Sequence, residues 1–276
     1  LEIIEKHISY KSASVTNPDI FHIYPIGDIH LGAIGCAEQK IEAKVKEIAE
    51  QDNAYWIGMG DIIDAITKDD KRFSYGGLAS WVNPHDIIES QRKRAYELLS
   101  PIKDKCICEL SGNHEEKAHD IHSDDIGRHI CEDLGVPYGG YQCFIALTFD
   151  RENSNESHRY IIHAWHGDGA AQTEGARVMR LMRLVNEIEA NLYLMGHLHS
   201  ITLYTPDRLV YRNGKIKNVE LIAVMTGSWL KGYTQSPKDK PLPPNYIEKK
   251  GYKPSRIGCP IIHISPQTDT IYAQSS

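Results

Sequence analysis

Five short polar clusters in this sequence hold residue types that bind divalent cations: Asp28 with His30, Asp61 with Asp64, Asn113 with His114, His166, and His197 with His199. Carboxylate oxygens, an amide oxygen and neutral imidazole nitrogens suit hard-to-borderline metals such as Mn, Fe, Zn and Ni. None of the six cysteines falls inside a cluster, so the pattern does not describe a thiolate site.

What must position these donors is a set of strand ends. Each cluster follows directly on an apolar run that reads as a strand: Ile20–Gly27, Ala54–Gly60, Cys106–Leu110, Arg159–Trp165 and Leu192–Met195. Helical periods alternate with them. Ile41, Val45, Ile48 and Ala49 line a helix over about Ala37–Glu50, and Ile88, Ala95 and Leu99 line one that starts near Asn83 and Pro84 and is stopped by Pro101. A third helix spans about Asp125–Leu134 and ends at Gly135; a fourth spans about Ala171–Ala190, with Val178, Leu181, Val185 and Ile188 on one face. Gln142–Phe149 and Arg159–Trp165 form an antiparallel pair across the loop RENSNES, and Trp165 to Leu192 makes a βαβ crossover. Ile201–Tyr204, Val219–Met225, Pro260–Ile264 and Thr270–Ala273 read as shorter strands. The mixture predicts helices packed outside two stacked sheets. Ligands of open α/β sheets bind beyond the carboxyl ends of parallel strands, so residues past five such ends can meet at one place.

Read in order, the clusters are GDIH, GDIID, GNHE, HGDG and GHLH. This ordered set strongly resembles the calcineurin-like metallophosphoesterase superfamily over about Asp28 to His199. The resemblance implies an α/β fold, a four-layer αββα sandwich of two mixed β-sheets flanked by helices, with the site at one edge. It implies one divalent transition metal held by Asp28, His30 and His199, a second held by Asn113, His166 and His197, and Asp61 bridging both. Manganese is the first expectation, with Fe, Zn or Ni as alternatives. Two such ions about 3.5–4 Å apart share a water, lower its pKa toward neutrality and clamp phosphoryl oxygens during in-line displacement, so the expected nucleophile is a metal-bridging hydroxide.

His114 is the residue that family members use to stabilise or protonate the leaving oxygen, and Asp64 matches the position that pairs with it in protein Ser/Thr phosphatases. Glu115, next in sequence to His114, is the reserve partner. The likeness to those phosphatases is partial, because GDIID is followed by Ala65 where they carry an arginine and the last motif is GHLH, as in the phosphodiesterase and nuclease branches. The expected activity is hydrolysis of phosphate esters, phosphodiesters favoured, and the alternative is a metallonuclease acting on nucleic acid. A non-catalytic scaffold on this fold is expected to lose ligands, and all seven ligand positions are filled.

Length and composition agree with a folded enzyme. A chain of 276 residues buries a sizeable core without disulfides, and one domain over 1–276 is the default. Gly 21 and Pro 13 are ordinary shares that exclude collagen-like and disordered classes. No apolar run has the length of a membrane span and the first twenty residues lack a signal-peptide core, so the expected location is cytoplasmic, with no membrane partner. The cysteines are too sparse for a disulfide scaffold, and Cys106 and Cys108 suit one face of a strand. The formal charge of −6 argues against a uniformly basic nucleic-acid binder. Oligomeric state is open.

Several residues admit a plainer reading. His163, two before Trp165, reads as a core histidine beside the ligand candidate His166. His119, Asp120, His122, Asp124 and Asp125 read as a polar loop, with an accessory metal or substrate site as the alternative. Arg177, Arg180 and Arg183 read as a solvated helix face, with phosphate contacts as the alternative. Trp229–Gly258 carries a net charge of +5, leaving −11 on the remainder. Trp229, Tyr233, Tyr246 and Tyr252 are interleaved with Lys231, Lys238, Lys240, Lys249, Lys250, Lys253 and Arg256, among five prolines. That pattern suits backbone attraction with base stacking, so the segment is either a solvated loop or a site for a nucleotide-containing polyanion.

Overall fold

Residues 1–212, 214–233, 246–251, 253–254 and 256–275 are described by a computed structural model. Among them are strands β1 (Glu2–Tyr10), β2 (Phe21–Ile26), β3 (Ala54–Gly58), β4 (Cys106–Glu109), β5 (Gln142–Arg151), β6 (Ser157–Trp165) and β7 (Leu192–Met195). Later come β8 (Ile201–Tyr204), β9 (Asp207–Arg212), β10 (Lys215–Glu220), β11 (Ile222–Thr226), β12 (Ile261–Ser265) and β13 (Thr270–Gln274). The helices that matter for packing are α1 (Glu38–Glu50), α2 (Ile87–Leu99), α3 (Asn113–His122), α4 (Ile126–Leu134) and α5 (Glu174–Glu187).

The strands form two large mixed sheets. One has the order β13-β12-β2-β3-β4, parallel from β2 to β4 and antiparallel beyond; the other has the order β1-β5-β6-β7-β11-β8, with β6, β7 and β11 parallel. Three apolar layers separate four structural ones. Ile41, Val45 and Ile48 of α1, Ala95, Leu98 and Leu99 of α2, and Ile126, Ile130 and Leu134 of α4 pack on Tyr24, Ile26 and Trp56. The opposite faces of those strands, Ile23 and Ile57, meet Ile145, Leu147, Ile162, Leu192 and Leu194 between the sheets. Leu181, Leu184 and Val185 of α5 cover Tyr193, Met195 and Ala223 outside the second sheet. Strands buried on both faces need apolar residues at nearly every position, which is why the central strands stand out as continuous runs. Among the described residues, no helix is long and apolar enough to cross a membrane.

The elements depart from the sequence reading in four places. β1 pairs in parallel with β5 at a sheet edge; its Glu2, Glu5, Lys6 and His7 mask the alternation that buries Ile8 and Tyr10. Asn113–His122 is a helix rather than a turn and loop, so His119 and Asp120 lie on α3 and Asp125 caps α4 by accepting from Arg128 N–H. The run Val219–Met225 is split at Leu221 between β11 and the β9–β10 hairpin. Cys106 and Cys108 face opposite ways, Cys106 toward the helices and Cys108 toward the second sheet. Trp56 pairs with Cys106 but Gly58 pairs with Glu109, so an extra residue on β4 breaks the alternation.

Candidate metal centre

Asp28 and His30 follow β2, Asp61 follows β3, Asn113 and His114 follow β4, His166 follows β6, and His197 and His199 follow β7. These are the carboxyl ends of parallel neighbours in both sheets, and the structure brings them to one edge of the sandwich. Turning the chain sharply there forces left-handed backbone on residues with side chains: φ is 49° at Asp28, 53° at His30, 51° at Asp61, 66° at His197 and 47° at His199. Such values are uncommon for residues other than glycine and persist only where surrounding structure holds them. The glycine of GNHE is required by space, because a Cβ on Gly112 would lie 2.1 Å from Asp61 Oδ1.

The donor atoms converge in two overlapping sets. In the first, Asp28 Oδ1 lies 3.1 Å from His199 Nε2, and the Nε2 atoms of His199 and His30 are 3.1 Å apart. In the second, Asn113 Oδ1 lies 3.1 Å from His166 Nε2 and 2.7 Å from His197 Nδ1. Asp61 Oδ2 stands between the sets, 3.8 Å from His30 Nε2 and 3.5 Å from His166 Nε2.

The outer ring nitrogens show which atoms face inward. His166 donates Nδ1–H to the Met59 carbonyl at 2.6 Å, and His197 donates Nε2–H to the Gly169 carbonyl at 3.0 Å. With the rings neutral, each inward nitrogen carries a lone pair. Lone pairs of two imidazoles, an amide oxygen and a carboxylate directed at one point repel unless a cation stands among them. Asp28 Oδ1 is buried and, His199 Nε2 apart, has no hydrogen-bond partner among the described residues, while Oδ2 accepts from His197 N–H at 2.9 Å. The residues present fit two divalent ions.

The electrostatics demand positive charge. Burial pushes the Asp61 carboxyl upward, but His166, His114 and His30 outweigh it and hold it well below the usual carboxylate range. Burial opposes charge on His166, yet Asp61 and Asp28 raise its pKa to about 10. A proton on His166 thus answers the same field that a cation would.

Two buried glutamates hold the turn that carries Asp61. Glu115 accepts from Asp61 N–H at 3.1 Å, Gly112 N–H at 3.0 Å and Ile63 N–H at 3.2 Å, while Glu109 accepts from Gly60 N–H at 3.2 Å. Burial and then the Asp61 charge raise the Glu115 carboxyl to about 7. Glu115 is therefore tied to backbone and not to the His114 ring, contrary to its reserve role.

His114 sits beside the first set, its ring centroid 4.6 Å from that of His30. Its backbone N–H donates to Asp61 Oδ1 at 2.9 Å. Its Nδ1–H donates to the Asp64 main-chain carbonyl at 2.5 Å, whereas the Asp64 carboxylate lies 3.6 Å from His114 Nδ1 and 3.5 Å from His30 Nδ1. Asp64 thus orients His114 through its backbone, and its carboxylate lies between the two imidazoles. Arg72 completes the surroundings, with Nη1 3.1 Å from His114 Nε2. Sequence reasoning missed Arg72 and its partner Asp70, which sit in a charged run, KDDKR, with no strand or helix period to give it a place.

Other candidates resolve by position. His163 is buried on β6 against Phe144, three residues before His166 and apart from the donor sets. Arg177 donates to the Ala171 carbonyl and to Ser200 Oγ, and Arg180 lies against Gly169, so these two brace the loops after β6 and β7 while Arg183 is exposed. Trp229 is buried among the helix-side residues and cannot stack on a base. The Trp229 backbone N–H and the Ser228 hydroxyl both donate to the Asp28 carbonyl, at 3.0 and 2.9 Å. Of the remaining aromatic and basic candidates in that segment, Lys238, Lys240 and Tyr252 lie outside the described residues, as do Pro237, Pro241, Pro243 and Pro244. Lys249 and Lys253 are exposed, with Lys249 on the short helix α6 (Tyr246–Lys250).

No protein-family model matches the chain, and no curated protein matches it. Among solved structures, the chain is similar to the crystal structure of a conserved uncharacterized protein, a predicted phosphoesterase, from Streptococcus pneumoniae TIGR4, at 11% identity and a TM-score of 0.35 over 93% of this chain and 99% of that one.

Proposed function

We propose that this chain is a single-domain member of the calcineurin-like metallophosphoesterase superfamily that hydrolyses phosphate esters, phosphodiesters favoured, with two divalent transition metals. Manganese is the first candidate, and Fe, Zn and Ni suit the same donors. The observation that carries the reading is the convergence of Asp28, His30, Asp61, Asn113, His166, His197 and His199 from five strand ends, with Asp61 Oδ2 between two otherwise separate donor sets. Asp28, His30 and His199 would hold one ion, Asn113, His166 and His197 the other, and Asp61 both. Such a pair supplies a water of lowered pKa and neutralises charge on the phosphoryl oxygens.

The chain's own residues do the rest. The Asp64 carbonyl holds His114 Nδ1–H, which leaves Nε2 as the atom that, once it has taken up a proton, would deliver it to the leaving oxygen. Hydrogen bonds to the Met59 and Gly169 carbonyls would keep His166 and His197 in the tautomers a metal needs. A cytoplasmic location suits a chain whose six cysteines are too sparse for a disulfide scaffold.

A second reading, a metallonuclease, is favoured by one observation: the basic segment 229–258 begins with Trp229 hydrogen-bonded to the Asp28 backbone. Elemental analysis, with a panel of monoesters, diesters, cyclic nucleotides and single- and double-stranded DNA, tests both readings. Two bound metals with diester turnover support the first. DNA cleavage whose KM rises and whose salt dependence flattens in a Lys249/Lys250/Lys253→Ala variant, with a small synthetic diester unaffected, supports the second. A protein that binds no metal and turns over none of the panel overturns both.

A further inference from the structure

Arg72 is held as a fork. Its Nε lies 3.2 and 3.1 Å from the two Asp70 carboxylate oxygens, and Nη2 lies 2.7 Å from Asp70 Oδ2. Arg72 backbone N–H also donates to Asp70 Oδ1 at 2.8 Å, and Lys117 Nζ approaches Asp70 Oδ2 at 2.9 Å. The Asp70 side chain is only 2% exposed, so the fork is fixed at its base, whereas the Arg72 side chain is 39% exposed and opens to solvent. This leaves Nη1 as the free end, and it is the end that reaches His114 Nε2 at 3.1 Å.

That contact has a definite polarity. A guanidinium only donates, and His114 Nδ1–H is already committed to the Asp64 carbonyl. His114 Nε2 is therefore the acceptor. Its lone pair is covered by Arg72, and the ring lies beside the donor sets, with a His114 ring nitrogen within 4.8 Å of donor atoms of His30 and Asp61. A phosphate oxygen carries negative charge and is a stronger acceptor than neutral imidazole. An ester entering beside His114 would draw Nη1–H to itself and release Nε2, with Asp70 retaining the rest of the guanidinium.

We propose that Arg72 is a substrate-contacting residue of this site, donating Nη1–H to a non-bridging oxygen of the phosphate ester beside His114, and that Asp70 is its positioning residue. The inference rests on the phosphoesterase reading for the identity of the ligand. Two features suit it to anion recognition: arginine cannot be deprotonated at the rim, and the Arg72–Asp70–Lys117 group carries one net positive charge.

The test uses the metal-loaded chain and inorganic phosphate as probe, with binding measured by calorimetry beside metal content and turnover of a synthetic phosphodiester. Arg72→Ala should keep both metals and bind phosphate about tenfold more weakly, as for loss of a charge-assisted hydrogen bond at a partly exposed site. Arg72→Lys should recover only part of that loss, because a point charge cannot use the Asp70 fork. Asp70→Asn should raise KM for the diester more than it lowers kcat, a split that a general loss of fold would not produce. Phosphate binding by Arg72→Ala equal to that of the parent, or full recovery in Arg72→Lys, overturns the proposal, as does a metal-loaded parent that binds no phosphate. If the parent hydrolyses no ester yet Arg72→Ala still weakens phosphate binding, the phosphoesterase reading fails and the arginine contact stands. If the parent hydrolyses the diester and Arg72→Ala matches it throughout, the reading stands and the contact falls.

Discussion

Glu115 accepts the backbone N–H of Asp61 at 3.1 Å across 54 residues of sequence. With its bonds to Gly112 and Ile63, one buried carboxylate joins the turn after β3 to the first turn of α3. The aspartate between the donor sets and the asparagine and histidine that follow β4 are thereby held in one frame.

Glu115→Gln should loosen that frame. An amide presents one acceptor oxygen where three N–H groups converge, so at least one buried donor loses its partner, at a cost of about 1–3 kcal/mol. The expected outcome is a lower denaturant midpoint and weaker metal retention, with the ligand residues unchanged. Equilibrium unfolding beside elemental analysis checks both, and an unaltered midpoint would show that the bonds are dispensable.

Asp61→Asn should lower metal occupancy in both sets together. One carboxylate oxygen lies 3.8 Å from His30 Nε2 and 3.5 Å from His166 Nε2, so removing its charge weakens each side. Metal stoichiometry gives the answer directly. Loss of a single ion per chain would assign Asp61 to one set only.

His114→Gln should keep both metals and lose about 10²- to 10⁴-fold in kcat, the range for a positioned acid or base. Asp64→Asn should do less harm, because the bond that orients His114 comes from the Asp64 carbonyl, which the substitution retains. The Asp64 carboxylate also approaches His30, so part of the Asp64→Asn effect should survive in the double variant. If Asp64→Asn is silent on a His114→Gln background, the carboxylate acts through His114 alone.

His163 supplies a pH test removed from the metals. It is buried on β6, and burial lowers its pKa to about 4 from an ordinary 6.5. A base depressed in the folded state binds its proton first in the unfolded state, so its contribution to stability is complete above pH 6.5 and is lost as pH falls toward 4. His163→Phe should flatten the fall in unfolding midpoint across that window. A variant with the same acid profile as the parent would show that His163 titrates alike in the folded and unfolded states.

The residue types that carry this chemistry were legible because each cluster is local. A glycine, one or two donors and a preceding apolar run occupy a few consecutive residues, and a strand buried on both faces announces itself by an unbroken apolar stretch. Asp28, His30, Asp61, Asn113, His166, His197 and His199 are all of that kind, and so are the helices covering the first sheet. What depended on separation in sequence was hidden. Glu115 finds Asp61 only when β3 and β4 are neighbours, and Arg72 finds His114 only when its loop folds back onto α3. The exchange of the Asp64 carboxylate for its carbonyl is a matter of backbone direction that residue types do not encode. The opposed faces of Cys106 and Cys108 arise from one extra residue against β3, a register that strand pairing alone decides. Trp229, which suits a stacking platform by composition, is buried because the chain must reach the Asp28 carbonyl at that point. The amino-acid sequence determined which atoms could bind metal and phosphate; tertiary structure decided which of them meet, because hydrogen bonds and lone pairs act over a few ångström and the residues that share them here lie tens to hundreds of positions apart.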